Sequence, residues 1–354
     1  MIRILKVFLV IAVTVAIFAT VVYFVGFDET LAEIANAGVI PFLAVGGLYL
    51  IFIILQAESL AVLSRPLGHK IAFRNLLEAT TAGLATNFVT PSTYLGGEPV
   101  KVLYIGNRTG LPYGEVTGTI VLGKYLEAFS FVFFLIINIV VATVMFRDIL
   151  FSQAHIAIGI SLLVIGLLGI LLSSSILYFL LRHRKPLTAI VCFLARPGWF
   201  RRFFARLRSR CEDMETQVST IFIEEGRASV LAFLLYFTTH IALFMRPLLF
   251  FGLGWNIGVS FELLCLIFIA SQLLLAVQVT PSSVGVLDGG LIGVIMLVGG
   301  EEVGISKSMT VAYLLCLRVW DALIIAGGAC IAGRAGLGLL SSGKKGQEPG
   351  EQSV

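Results

Sequence analysis

Six apolar runs, each about as long as a bilayer is thick, govern what this chain can become. A hydrocarbon core ~30 Å thick needs ~20 apolar residues per helix. Runs of that kind cover about 4–27, 39–63, 116–144, 156–181, 229–254 and 309–333. With 58% of residues hydrophobic and only 13% charged, no ordinary soluble core explains them. In hydrocarbon every backbone polar group needs a partner inside the protein, so the expected fold is an all-α polytopic membrane protein.

Two further apolar stretches, 72–107 and 261–299, are each broken near the middle by a similar turn. The first reads Thr90-Pro91-Ser92-Thr93-Tyr94-Leu95-Gly96-Gly97-Glu98 and the second Thr280-Pro281-Ser282-Ser283-Val284-Gly285-Val286-Leu287-Asp288. The copies lie 190 residues apart, and each places a carboxylate eight positions after its Thr. Each is followed by a basic-x-x-acidic pair inside an apolar run, Lys124/Glu127 and Arg318/Asp321. Helix breakers and carboxylates are expensive in hydrocarbon, which marks these stretches as the place to look for function. Two unrelated turns that look alike by chance are the alternative.

The Lys and Arg of the short loops set the orientation. Arg65, Lys70, Arg74, Arg108, the ten arginines and lysines of 182–228, and Arg334, Lys344 and Lys345 fall on one side if both termini are cytoplasmic. That assignment requires each broken stretch to enter and leave by the same face. The fold expected is therefore an inverted repeat with two opposed re-entrant helical hairpins plus about six full spans. The repeat units are 39–144 and 229–333, an arrangement associated with transporters that bind at the midplane. Eight or more simple spans remain the alternative, since 261–280 is long enough to cross alone.

Residues 1–335 read as a single transmembrane domain, with a basic, amphipathic cytoplasmic insert at 182–228 and a disordered cytoplasmic tail at 336–354. The insert reads equally as a plain positive-inside loop. The run from Val7 to Phe27 is too long for a signal-peptide core and is kept as a helix. The cysteines Cys192, Cys211, Cys265, Cys316 and Cys330 show no zinc spacing, and no cofactor or nucleic-acid motif is present.

The candidate substrate-binding residues are those of the turns and the pairs that follow. They are Thr90, Pro91, Ser92, Gly97, Glu98 and Lys101, then Lys124 and Glu127. In the second unit they are Thr280, Pro281, Ser282, Ser283 and Asp288, then Arg318 and Asp321. Thr followed by Pro is a good helix start, and Gly97 with Pro99 could serve the same way. Free N–H groups at such starts can hold an anion. Asp288 lacks a basic residue one turn on, so it is either a proton carrier or substrate contact, or a structural partner for Arg318 or Lys124. Lys124 and Arg318 either neutralise their carboxylates or take a headgroup phosphate. Gln56, Glu58 and Arg246 are candidates for a second polar layer, with anchoring near a helix end the alternative for Arg246. His240, Asn87, Asn138, Gln272 and Gln278 read as packing hydrogen bonds.

The Asn87–Pro91 spacing, the Gly96-Gly97-Glu98-Pro99 run with Lys101, and Pro281-Ser282-Ser283-x-Gly285 resemble the lysylphosphatidylglycerol synthase transmembrane-region family, also described as UPF0104 or flippase-like. The resemblance covers about 1–335. It implies a bacterial or archaeal cytoplasmic-membrane protein that moves lipids between leaflets. In two-part members the domain is followed by a soluble synthase domain. None follows residue 335 here, so aminoacyl transfer is not implied. The expected function is a flippase or scramblase-type carrier for an anionic phospholipid or polyprenyl-phosphate lipid. A membrane lipid transferase or phosphatase, and an accessory subunit that docks a lipid-synthesis enzyme, are the alternatives.

Overall fold

The computed structural model describes residues 27–65, 71–90, 96–145, 226–276, 285–297 and 303–342, with Ser283, Glu212 and short pieces between 160 and 175. Among these, every regular element longer than one turn is a helix: α1 Phe27–Ala37, α2 Val39–Ser64, α3 Phe73–Val89, α4 Glu98–Thr109, α5 Tyr113–Met145, α6 Gly226–Phe244, α7 Arg246–Trp255, α8 Phe261–Ala276, α9 Val286–Leu297 and α10 Lys307–Ser342.

Four helical stretches are long and apolar enough to cross a bilayer: α2, α5, the α6–α7 pair, and α10 from Lys307 to Arg334. They match four of the six expected spans, so this is a multi-pass membrane protein. The expected span 4–27 lies outside the described residues but for Phe27, and 156–181 is represented only by short helical pieces between 160 and 175. The spans are apolar on all sides, as helices between a protein core and lipid must be. Leu50, Ile54, Val140, Val144, Leu234 and Leu323 face outward and are exposed. Tyr49, Ile53, Phe134, Phe244, Phe251 and Phe268 face inward and form the main core.

The span expected at 229–254 is two helices that meet at Met245. Pro247 explains the break, since it has no N–H to give the preceding turn and its ring crowds the carbonyl four residues back. Gly38, at φ 74°, turns the chain from α1 into α2. The indole N–H of Trp255 then ties the end of α7 to Glu33 of α1 at 2.9 Å.

The two broken stretches form two pairs of short helices. α3 and α4 have 17 and 12 residues, and α8 and α9 have 16 and 12. At 1.5 Å per residue these are ~18–26 Å long, short of a bilayer core. α3 packs on α4 and α8 on α9, while α3 also packs on α10 and α8 on α5. The α3–α4 contact depends on two glycines, because a Cβ on Gly97 would lie 2.0 Å from the carbonyl oxygen of Gly83.

Thr90 closes α3, and residues 91–95, where the helix start expected after it would be, lie outside the described residues. Pro91 pushes Thr90 to an extended conformation, φ −94° and ψ 133°, and the Thr90 hydroxyl donates back to the Thr86 carbonyl at 2.8 Å. The returning helix starts at Gly97 with Pro99 in its first turn. Pro91, Ser92, Thr280, Pro281 and Ser282 lie outside the described residues, as do most of the insert 182–228 and the tail beyond 342.

Candidate functional site

The charges expected at the site gather in two clusters. In the first, α4 carries Glu98 and Lys101 one turn apart, 3.2 Å from each other. α5 brings Lys124 to 3.6 Å from Glu98 and 2.9 Å from Glu127. The Gln56 side chain of α2 donates to Glu127 at 2.8 Å. Lys101 is buried, and the Gly83 backbone makes room for its stem. Asn87 fixes the geometry from α3: its Oδ1 accepts the Gly97 N–H at 2.7 Å, joining the end of α3 to the start of α4.

The second cluster is built on α9 and α10. Asp288 is fully buried, with 0% of its side chain exposed. One oxygen accepts the Gly285 N–H at 2.8 Å, which caps the start of α9. The other accepts Nε and Nη2 of Arg318 at 3.2 and 2.8 Å. Arg318 also reaches Asp321 at 3.4 Å, and the Tyr49 hydroxyl of α2 donates to Asp321 at 2.7 Å. Arg246 sits over the Tyr49 ring, 3.6 Å from its centroid. Of the two roles open to Asp288, partnership with Arg318 is the one observed. The first cluster pairs Lys101 and Lys124 with Glu98 and Glu127, and the second pairs Arg318 with Asp288 and Asp321, the arrangement by which charge is kept inside a membrane.

α2 touches both clusters. Gln56 and Tyr49 are seven residues apart on one face, ~10 Å along the axis. Tyr49 carried no signal as a single residue, although its register with Gln56 places it on the same face. The three residues proposed as a second polar layer are split. Gln56 joins the first cluster, Arg246 the second, and Glu58 pairs with the exposed Arg65 at 2.9 Å. His240 bonds Ser130 at 3.1 Å and packs among Phe131 and Phe134, as a packing histidine should. Ser283 is buried at φ 50° just before α9.

A cavity of about 120 Å³ opens beside the second cluster. Residues of α2, α3, α6, α7, α8, α9 and α10 line it, so elements from both halves of the chain meet there. Its lining includes the charged Arg246, Arg318 and Asp321, the amides Asn87 and Gln272, and the aromatic Phe52, Phe88, Phe244 and Phe268. Such a cavity suits a molecule with one polar and one apolar end. Among the described residues no group of three His, Cys, Asp or Glu side chains is placed to hold a metal ion.

Curated relatives are archaeal membrane proteins. The chain is 23% identical to a UPF0104 membrane protein of Methanothermobacter thermautotrophicus, over 76% of this chain and 78% of that protein. It is 24% identical to one of Pyrococcus horikoshii over 59% of each chain. It is 30% identical to one of Archaeoglobus fulgidus over 34% of this chain and 36% of that protein. No solved structure matches. The family model described as the lysylphosphatidylglycerol synthase TM region matches residues 6–328, nearly the whole of the chain, and the protein belongs to that family.

Proposed function

We propose that this protein is a lipid carrier of the flippase or scramblase type, moving a phosphate-bearing lipid between leaflets of an archaeal or bacterial cytoplasmic membrane. The observation that carries the reading is the cavity: lined by charged and aromatic side chains together, from both halves of the chain. A headgroup would bind at the charged residues while the lipid chains stay in apolar surroundings. The two pairs of short helices support this reading, as the halves of an inverted repeat. α3–α4 and α8–α9 are too short to cross, occupy corresponding positions, and each packs against the long helix of the other unit. On this reading they are re-entrant hairpins dipping from opposite faces, both termini are cytoplasmic, and rocking of the units alternates access.

Purified protein in liposomes tests this, with headgroup-labelled phospholipid followed between leaflets. The expected result is translocation above that of protein-free liposomes, with the lipid recovered chemically unchanged. Translocation at the protein-free rate overturns the carrier reading, and a chemically altered lipid replaces it with a transferase or phosphatase.

A further inference from the structure

One cation at the cavity wall is not matched to a carboxylate. Arg318 is held by Asp288 at 2.8 Å and by Asp321 at 3.4 Å, and Lys101 and Lys124 lie against Glu98 and Glu127. Asp321 is engaged by the Tyr49 hydroxyl and by Arg318. Arg246 has no ion pair or hydrogen bond with any described residue. It has the Tyr49 ring at 3.6 Å, and its Nε is buried without a hydrogen-bond partner. The break before Pro247 sets it there, in mid-span and at the edge of the cavity. A guanidinium without a hydrogen bond is costly inside a membrane, and the Tyr49 face and the more distant Asp321 charge compensate it only in part.

The neighbouring polar groups are also open. Asn87 uses its Oδ1 on Gly97, which leaves its amide Nδ2 without a partner among the described residues. Gln272 makes no hydrogen bond to a described residue and lines the same cavity. Free amide and guanidinium N–H groups along one cavity are what a tetrahedral oxyanion accepts, and the planar fork of Arg matches two of its oxygens. The volume, about 120 Å³, is far above the ~10–15 Å³ that holds one water. The first unit has no counterpart: Gln56, 190 residues before Arg246, is neutral and already donates to Glu127.

We infer that Arg246, with Gln272 and the Asn87 amide, is the seat of a phosphate group in this cavity, the phosphate of a lipid whose first chain carbons lie against the aromatic side chains. The lipid as source rests on the carrier reading; the seat does not. Wild type, Arg246→Gln and Arg246→Lys, in detergent, are titrated with dioleoyl phosphatidic acid and with dioleoylglycerol, which has the same chains without phosphate. Bound lipid is counted by native mass spectrometry.

Arg246→Gln is expected to weaken phosphatidic acid binding about tenfold or more, to leave dioleoylglycerol unchanged, and to be partly rescued by Lys. Phosphatidic acid binding equal to wild type overturns the seat. Displacement of the lipid by equimolar inorganic phosphate overturns the lipid part. If Arg246→Gln does not fold, Gln272→Leu takes its place, with a smaller, few-fold loss expected; unchanged binding there also sinks the proposal. Transport at the wild-type rate by Arg246→Gln in liposomes would overturn this seat and leave the carrier reading standing. Absent transport with intact Arg246-dependent binding would do the reverse.

Discussion

The buried Asp288–Arg318 pair is the contact whose disruption should be felt most. Both oxygens of Asp288 accept from donors, Gly285 N–H on one and two Arg318 nitrogens on the other. Asp288→Asn keeps the shape but offers only one acceptor. Its NH₂ must then face a donor, either the cap of α9 or the guanidinium. Removing one partner of a buried pair costs about 3–5 kcal/mol, and the orphaned donor adds to it. Asp321 at 3.4 Å still offsets part of the Arg318 charge, so about 3–4 kcal/mol is expected overall. Unfolding free energies in mixed detergent–SDS micelles give the measurement. Arg318→Met in the Asp288→Asn background removes the stranded charge as well, so the double variant should be less destabilised than the sum of the singles by ~1–3 kcal/mol. A single-variant cost under ~1 kcal/mol, or strict additivity, would refute the account of Asp288 as the anchor of Arg318.

Two adjacent glycines on α2 give a sharper packing test. A Cβ on Gly46 would lie 1.9 Å from the Trp320 ring, which is fixed by its N–H to the Phe42 carbonyl at 3.0 Å, whereas Gly47 has nothing within 4 Å. Gly46→Ala should destabilise by ~1–3 kcal/mol, and Gly47→Ala should be neutral or stabilising by ~0.5–1 kcal/mol, in the same unfolding assay. Equal effects would mean α10 does not pack on α2 as described. For the inverted repeat, exposed positions after each pair of short helices, Arg108→Cys in the last turn of α4 and Val303→Cys in the turn before α10, should label with an impermeant maleimide from opposite sides of a sealed vesicle. Labelling from one side only, for both, would rule out the opposed arrangement.

The spans were legible because lipid leaves the backbone few choices: an apolar run of bilayer length has to be a helix, and α2 and α5 begin and end close to where their runs do, while α10 begins with its run and continues to Ser342, into the stretch expected as tail. The i,i+3 pairs Lys124/Glu127 and Arg318/Asp321 were legible for a similar reason, since that spacing puts two side chains on one face. What local pattern does not encode is which distant side chain completes each group. Tyr49 meets Asp321 from 272 residues away, and Gln56 meets Glu127 from 71. Arg246 beside Pro247 looked like a residue near a helix end. It is one, but that end lies within the span 226–255, beside the cavity.

The long-range pairs also explain why α2 matters more than its apolar sequence suggests. One face of one rigid helix donates to Glu127 through Gln56 and to Asp321 through Tyr49, at positions ~10 Å apart along its axis. Sliding α2 by a single turn would break both bonds together, and tilting it would strain one against the other. The two charged clusters therefore cannot rearrange independently. A motion of α2 at Tyr49 bears on Glu127 through Gln56, and the carrier proposed above would use this link to couple the two clusters.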